Sequence, residues 1–205
     1  MIDIADDDPS HRSIVTPRLR LTFEWTGDRW AHSLEWDRPG SIIARSVESD
    51  AERERDEPDR IVSPAYQQLG FQRDGARVQA LLVGQSGPHH FSAAFTVRET
   101  GGTTAVEVDV ADRCRSKVSD LACTYALSLT SSDLRDAGPS RIDWERDGSR
   151  LTFESAEPPA RLALAEAGRN ATRVQALASI RPETATQRWA YRWALGNDRD
   201  LMEPS

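Results

Sequence analysis

Alternation of apolar and polar residues with a period of two is the feature that most constrains this chain. From Leu19 to Trp25 the odd positions are large and apolar while the even positions are polar, and the alternation resumes from Trp30 to Trp36. Because successive side chains of a β-strand point to opposite faces, each segment is expected to be a half-buried strand. The turn between them predicts an antiparallel hairpin with the cross-strand pairs Trp25–Trp30, Phe23–His32, Leu21–Leu34 and Leu19–Trp36.

A second hairpin is predicted in the middle of the chain. Residues 91–97 and 106–110 alternate in the same way on either side of a turn at residues 99–102. The apolar positions of the two segments coincide when Phe95 faces Val106, and we therefore predict that register.

Several other segments have strand signals. Strands are predicted from Ile42 to Val47 and from Leu121 to Leu129, and Asp147–Gly148 predicts a two-residue turn that pairs Ile142 with Phe153. Residues 161–180 fit either a short helix or a hairpin, and we favour the hairpin. The charged run from residue 48 to 60 has no apolar stripe and is expected to be a solvated loop.

The two ends of the chain are expected to differ from the middle. Trp189 and Trp193 lie four residues apart after Pro182, which favours a C-terminal α-helix. Residues 1–14 are acidic and polar, which predicts a flexible N-terminus. About ten strands and this helix predict one mainly β domain over residues 15–200, an antiparallel sandwich or a partly closed barrel.

The charge balance restricts the partners. The chain has 33 acidic and 26 basic residues and a formal net charge of −7. Such a chain lacks the clustered cations that bind nucleic acids or anionic membranes, and it contains no apolar run of about 18 residues. Its acidic start is opposite to a basic secretory signal. We expect a soluble cytoplasmic protein without nucleic-acid or membrane partners, and the oligomeric state is left open.

Cysteines and sequence motifs indicate no metal or cofactor. Cys114 and Cys123 have no CxxC spacing and cannot form a disulfide framework, so two thiols, at least one of them buried, are expected. No P-loop, GxGxxG, HExxH or GxSxG motif is present. His89 and His90 are adjacent in a strand and point to opposite faces, so they cannot bind one metal together.

The second hairpin supplies the candidate site. Its predicted register places Ser92 opposite Asp109, with His90 diagonal to that carboxylate, Glu107 next along the face and Arg113 just beyond the strand end. An imidazole held by a carboxylate is suited to general acid–base chemistry, and small residues between these groups leave room for a ligand. The alternative is a structural polar network in which Asp109 bonds Arg113 or backbone amides.

The tryptophans and one histidine have simpler interpretations. Trp25, Trp30 and Trp36 could stack on sugars if exposed, but they share their face with leucine and phenylalanine, which is typical of a core. His32 lies on the same face and is expected to be a hydrogen-bonded core histidine.

Three segments resemble a known family. They read SPAYQQL at residues 63–69, GQSGPHHFS at residues 84–92 and DVADR at residues 109–113. They are similar to the SPxxQQL, GxxGxxHxS and DVAxR segments, in the same order, of an uncharacterised planctomycete protein family. The similar region spans residues 61–125, about a third of the chain.

This resemblance implies no activity. The family has a cysteine where this chain has Asp112, and Cys114 is displaced by two residues, so no thiol role carries over. The residues that the resemblance singles out are Gln68, His90, Ser92, Asp109 and Arg113.

Three classes of function remain open. A small-molecule-binding module for a polar metabolite or sugar ranks first, and an enzyme that uses a His/Asp acid–base patch ranks second. Both would use the same face. A structural or partner-binding protein is the third, and it would bury the patch and expose an apolar surface elsewhere.

Overall fold

The computed structural model describes residues 1–36, 41–49, 56–166 and 172–197. Within these residues the chain forms seventeen β-strands. They are β1 (Asp3–Asp8), β2 (His11–Val15), β3 (Leu19–Trp25), β4 (Trp30–Trp36), β5 (Ile42–Ser46), β6 (Arg60–Ile61), β7 (Gln68–Asp74), β8 (Arg77–Ser86), β9 (His89–Thr100), β10 (Thr103–Cys114), β11 (Asp120–Leu127), β12 (Leu134–Ala137), β13 (Arg141–Arg146), β14 (Ser149–Ser155), β15 (Arg161–Glu166), β16 (Thr172–Leu177) and β17 (Thr186–Asn197).

The strands form two sheets that face each other. The first has the order β1-β2-β3-β4-β5-β11-β16-β15, with β6 pairing in parallel with β11; the second has the order β12-β13-β14-β17-β10-β9-β8-β7. Aromatic rings meet between the sheets, Phe23 against Phe95 at 5.5 Å and Tyr125 against Tyr191 at 6.0 Å between centroids. The mainly β, antiparallel architecture predicted from the sequence is confirmed, and two facing sheets fit a sandwich.

Local turn chemistry accounts for the hairpins that were predicted correctly. All four pairs of the first hairpin are present as β3 and β4. Asp147 and Gly148 both have positive φ, 53° and 74°, as a type I′ turn requires, and they pair Ile142 with Phe153 in β13 and β14. The hairpin favoured for residues 161–180 is formed by β15 and β16.

The prediction of a C-terminal helix is wrong, because residues 186–197 form strand β17. This strand lies between β14 and β10 and hydrogen-bonds to both. The spacing of four between Trp189 and Trp193 puts two residues on one face of a strand as well as of a helix. Tyr191 and Leu195 are also buried, so the alternation has a period of two.

The register of the second hairpin also differs from the prediction. Val106 faces Val97, and Phe95 faces Val108, a shift of two residues. The reason is a shorter turn, since Gly101 and Gly102 alone connect β9 and β10, with φ values of 55° and 78°. A shift by an even number keeps every side chain on its predicted face.

Two segments were expected to be irregular, residues 1–14 and the charged run at residues 48–60. Residues 1–14, for which the sequence predicts flexibility, contain β1 and β2, and these extend the first sheet from β3. Ile2 and Ile14 are buried. The centre of the charged run, residues 50–55, lies outside the described residues, and the end of the run at Pro58 packs near β9. The described residues contain no helix long and apolar enough to cross a membrane.

Candidate functional site

The six candidate residues lie on one side of the second sheet, which we call the outer face because it points away from the core. Directly opposed residues of antiparallel strands share a face. One row across the sheet therefore runs Gln68, Val83, Ser92, Ala111, Arg188, and the next runs Gln85, His90, Arg113, Thr186. Asp109 and Glu107 follow Ala111 on the same face.

The shifted register changes the neighbours that the sequence analysis expected. Ser92 faces Ala111 instead of Asp109, and His90 faces Arg113. His90, Ser92 and Arg113 are exposed. The candidates are therefore gathered on an open face, but not in the predicted pairs.

Both candidate carboxylates, Asp109 and Glu107, bond to arginines. Arg188 donates to Asp109 at 2.6 Å, and Arg98 lies 3.1 Å from the Glu107 carboxylate. Asp109 is opposite Ala94. In the described part of the chain, no hydrogen bond joins His90 to Asp109, because Asp109 lies a further two residues from His90 than predicted and bonds Arg188.

A cavity of about 440 Å³ lies in the middle of the outer face, and we call it the middle cavity. Its lining residues are Leu81, Leu82, Val83, Ser92, Ala93, Ala94, Asp109, Ala111 and Arg188. Small side chains form its floor, as expected from the sequence. Leu81 and Val83 are 41% and 44% exposed, which is unusual for aliphatic residues in the interior of a strand. The cavity thus combines an apolar wall with one ion pair.

A second cavity, the end cavity, occupies about 400 Å³ at the end of β9 and β10. It is lined by Pro88, His90, Arg113 and Arg115. Two guanidinium groups and an imidazole therefore share one concave site. Arg115 is a residue that the sequence analysis missed, although its spacing of two from Arg113 indicates the same face.

A buried trio of residues lies on the core side of the same strand ends. His89 Nδ1 is 2.8 Å from Asp112 Oδ2, and His89 Nε2 is 2.8 Å from the Pro58 carbonyl oxygen and 3.9 Å from Cys114 Sγ. All three side chains are buried. The sequence predicts a His/Asp pair on the outer face, but the hydrogen-bonded His/Asp pair is formed by His89 and Asp112 on the core side.

The hydrogen bonds indicate the charge state of His89. Each ring nitrogen faces an acceptor, a carboxylate on one side and a carbonyl on the other, so both must carry a hydrogen. Burial lowers the pKa of His89, but the hydrogen bond and the charge of Asp112, helped by Pro58, outweigh it and raise the pKa. These contacts favour the imidazolium form of His89, and they join Pro58 to the end of the second sheet.

A different polar chain crosses the centre of the core. His32 Nε2 is 2.8 Å from the Tyr125 hydroxyl, which is 2.7 Å from the Tyr191 hydroxyl. Burial lowers the pKa of His32 to about 3 and raises the pKa of the Cys123 thiol to about 12, so both are neutral. The prediction of a hydrogen-bonded core histidine is confirmed. Both cysteines are free and buried, which agrees with the prediction of two thiols of which at least one is buried.

The tryptophans of the first hairpin belong to the core. Trp30 is buried, and Trp25 and Trp36 are partly buried and pack against the core cluster. Trp25 and Trp30 meet edge to face at 5.6 Å between centroids. They do not form an exposed platform for a sugar.

Comparisons with known proteins supply no further constraint on this site. No protein-family model matches the chain, and no curated protein is similar to it. Within the described ranges, no three His, Cys, Asp or Glu side chains are placed so that they could hold a metal ion.

Proposed function

We propose that this protein is a small-molecule-binding β-domain and that its ligand, a polar metabolite or sugar, lies along the outer face of the second sheet. The observation that carries the proposal is the middle cavity, which opens on the outer face beside the exposed Ser92. A cavity of this volume, about 440 Å³, is in the range of small-molecule sites.

The side chains around the middle cavity suit a ligand of mixed character. Leu81 and Val83 offer an exposed aliphatic wall for the carbon skeleton. Ser92 and the ion pair of Asp109 with Arg188 offer donors and acceptors to hydroxyl groups. Few polar groups on a mostly apolar wall are the usual composition of a ligand site.

The scaffold in this proposal is an antiparallel sandwich rather than a partly closed barrel. Two separate sheets with their own edge strands, β1 and β15 in the first and β12 and β7 in the second, support it. The excess of acidic residues supports a ligand other than nucleic acid or an anionic membrane.

A metabolite panel tests the proposal. Monosaccharides, their phosphates and small organic acids are screened by thermal shift, and each hit is titrated by calorimetry. Ser92→Trp fills the middle cavity and should weaken binding of a hit at least about tenfold, since a bulky side chain excludes the ligand. Arg173→Trp, at an exposed strand residue of the first sheet, is the matched control and should bind normally. A hit that binds both variants equally would refute the proposal.

An enzyme is the second candidate, and the buried trio favours it. A thiol, an imidazole and a carboxylate in contact, as in Cys114, His89 and Asp112, are the parts of a nucleophilic site. Its weakness is that Pro58 occupies the Nε2 atom that would take the thiol proton. Hydrolysis of a chromogenic thioester by the native protein and its loss in Cys114→Ser would support this candidate; equal rates would refute it.

A further inference from the structure

The end cavity concentrates positive charge in an acidic protein. Arg113, Arg115 and His90 line it together with Pro88. No carboxylate is among its described lining residues, although the chain has an excess of acidic residues over basic ones. The local charge is thus opposite to that of the whole molecule.

The two arginines also differ from several others on the same sheet. Arg98, Arg146 and Arg188 each have a carboxylate within 4 Å. Arg113 and Arg115 have no ion pair within the described ranges, and each is exposed. These two guanidinium groups share the end cavity and have no carboxylate partner among the described residues, so they are available to an external anion.

The strand pairing places these groups against each other. His90 and Arg113 are directly opposed across β9 and β10. The guanidinium group and the imidazole can both donate hydrogen bonds. An anion between them would accept from both, so the arrangement suits a bound phosphate.

The backbone that carries the cavity is held from the core side. His89 precedes His90, and Asp112 and Cys114 flank Arg113. The contacts of His89 with Asp112 and Pro58 fix both strand ends. A fixed backbone reduces the entropy that the guanidinium groups lose when they bind a ligand.

The two cavities are close enough for one small ligand. The row that contains His90 and Arg113 is two residues from the row that contains Ser92 and Ala111. Two residues of an extended strand span about 7 Å. A phosphate in the end cavity would therefore place an attached sugar-sized group over Ser92 and the middle cavity.

We propose that the end cavity binds the phosphate group of a phosphorylated metabolite whose remaining part occupies the middle cavity. This inference rests on the proposed function and adds the ligand class. Phosphate is favoured over a single carboxylate because its three terminal oxygens can accept from two guanidinium groups and an imidazole at once.

Calorimetric titration with three probes, a hexose 6-phosphate, the matching hexose and the matching hexuronate, tests the inference. The hexose phosphate should bind at least about tenfold more tightly than the other two, and inorganic phosphate should compete with it at constant ionic strength. Arg113→Gln and Arg115→Gln should each weaken its binding about tenfold, as expected for a lost charge-assisted hydrogen bond. Arg77→Gln, an exposed arginine at the far end of β8, is the control and should bind normally.

The outcomes separate the two proposals. If the hexose phosphate binds no better than the hexose, or if Arg113→Gln and Arg77→Gln are equivalent, the phosphate inference is overturned, while loss of binding in Ser92→Trp would still support the proposed function. If Arg113→Gln weakens binding and Ser92→Trp does not, the placement over the middle cavity is overturned and the proposed function with it. Melting of all variants close to the native protein, expected for exposed positions, shows that they are folded.

Discussion

Acidification should destabilise this protein through His32 well before its paired carboxylates titrate. His32 is buried in the core, where its pKa falls to about 3, whereas an unfolded histidine titrates near 6.5. Between these values the unfolded chain binds a proton that the folded chain does not. Protonation therefore favours unfolding, and stability falls as the pH drops below 6.5.

The size of this effect follows from the width of the pH interval. Each pH unit in which only the unfolded state is protonated costs about 1.4 kcal/mol. Between pH 6.5 and pH 5 the loss should therefore be about 2 kcal/mol, a substantial part of the roughly 5–15 kcal/mol by which domains are stable. Burial raises the pKa of Asp143, but its hydrogen bonds with Arg150, Arg141 and Thr152 together outweigh burial and lower the pKa. Paired carboxylates of this kind lose their contribution to stability only at lower pH.

Urea unfolding at a series of pH values between 5 and 6.5, followed by tryptophan fluorescence, measures this loss. His32→Gln removes the titrating group and should flatten the dependence, although the variant is less stable at neutral pH. His90→Gln, at an exposed histidine, is the control and should keep the native dependence. The reasoning is refuted if the native protein loses less than about 0.5 kcal/mol over this interval, or if His32→Gln loses as much as the native protein.

Three further predictions concern the buried His89, the close approach of Gly84 to Ala65 and the turn at Asp147. The raised pKa of His89 gives stability that is fully present below pH 6.5 and is lost as the pH rises through the folded pKa. As the pH rises above 6.5, denaturant midpoints should fall in the native protein and not in His89→Gln; a parallel fall in both would contradict the ion pair. Gly84→Ala should cost about 1–3 kcal/mol, because its Cβ would lie 1.9 Å from the Ala65 carbonyl oxygen. A Cβ at Gly70 would meet nothing within 4 Å, so Gly70→Ala is the control and should melt like the native protein. Equal melting temperatures of Gly84→Ala and Gly70→Ala would be evidence against the close approach of Gly84 to Ala65. Asp147→Pro should lower the melting temperature strongly, because proline cannot adopt the φ of 53° found there; an unchanged melt would exclude the turn.

The faces of the strands were predictable because alternation is a local property. Each side chain of a strand points opposite to its neighbours, whatever the strand pairs with. The first hairpin therefore followed from residues 19–36, including the pair of Trp25 with Trp30. For the same reason Ser92 and Asp109 were assigned correctly to one face, although they are not partners.

The register of the second hairpin was not predictable from apolar matching. Every shift by two residues superimposes apolar on apolar positions, so Phe95 fits Val106 and Val108 equally well. The two-glycine turn at Gly101 and Gly102 decided between them. Turn length was the missing signal, and two adjacent glycines would have indicated the shorter loop.

The last element and the buried trio depended on the tertiary structure. A spacing of four, as between Trp189 and Trp193, fits a helix and a strand, and only the hydrogen bonds to β14 and β10 selected the strand. His89 acquires its charge from Asp112 and from Pro58, which is 31 residues away. The sequence by itself determined which residues lie on which face, because side-chain direction is set by neighbouring bonds. The tertiary structure decided which strands pair, in which register and around which buried charge, because those contacts join residues that are far apart in the chain.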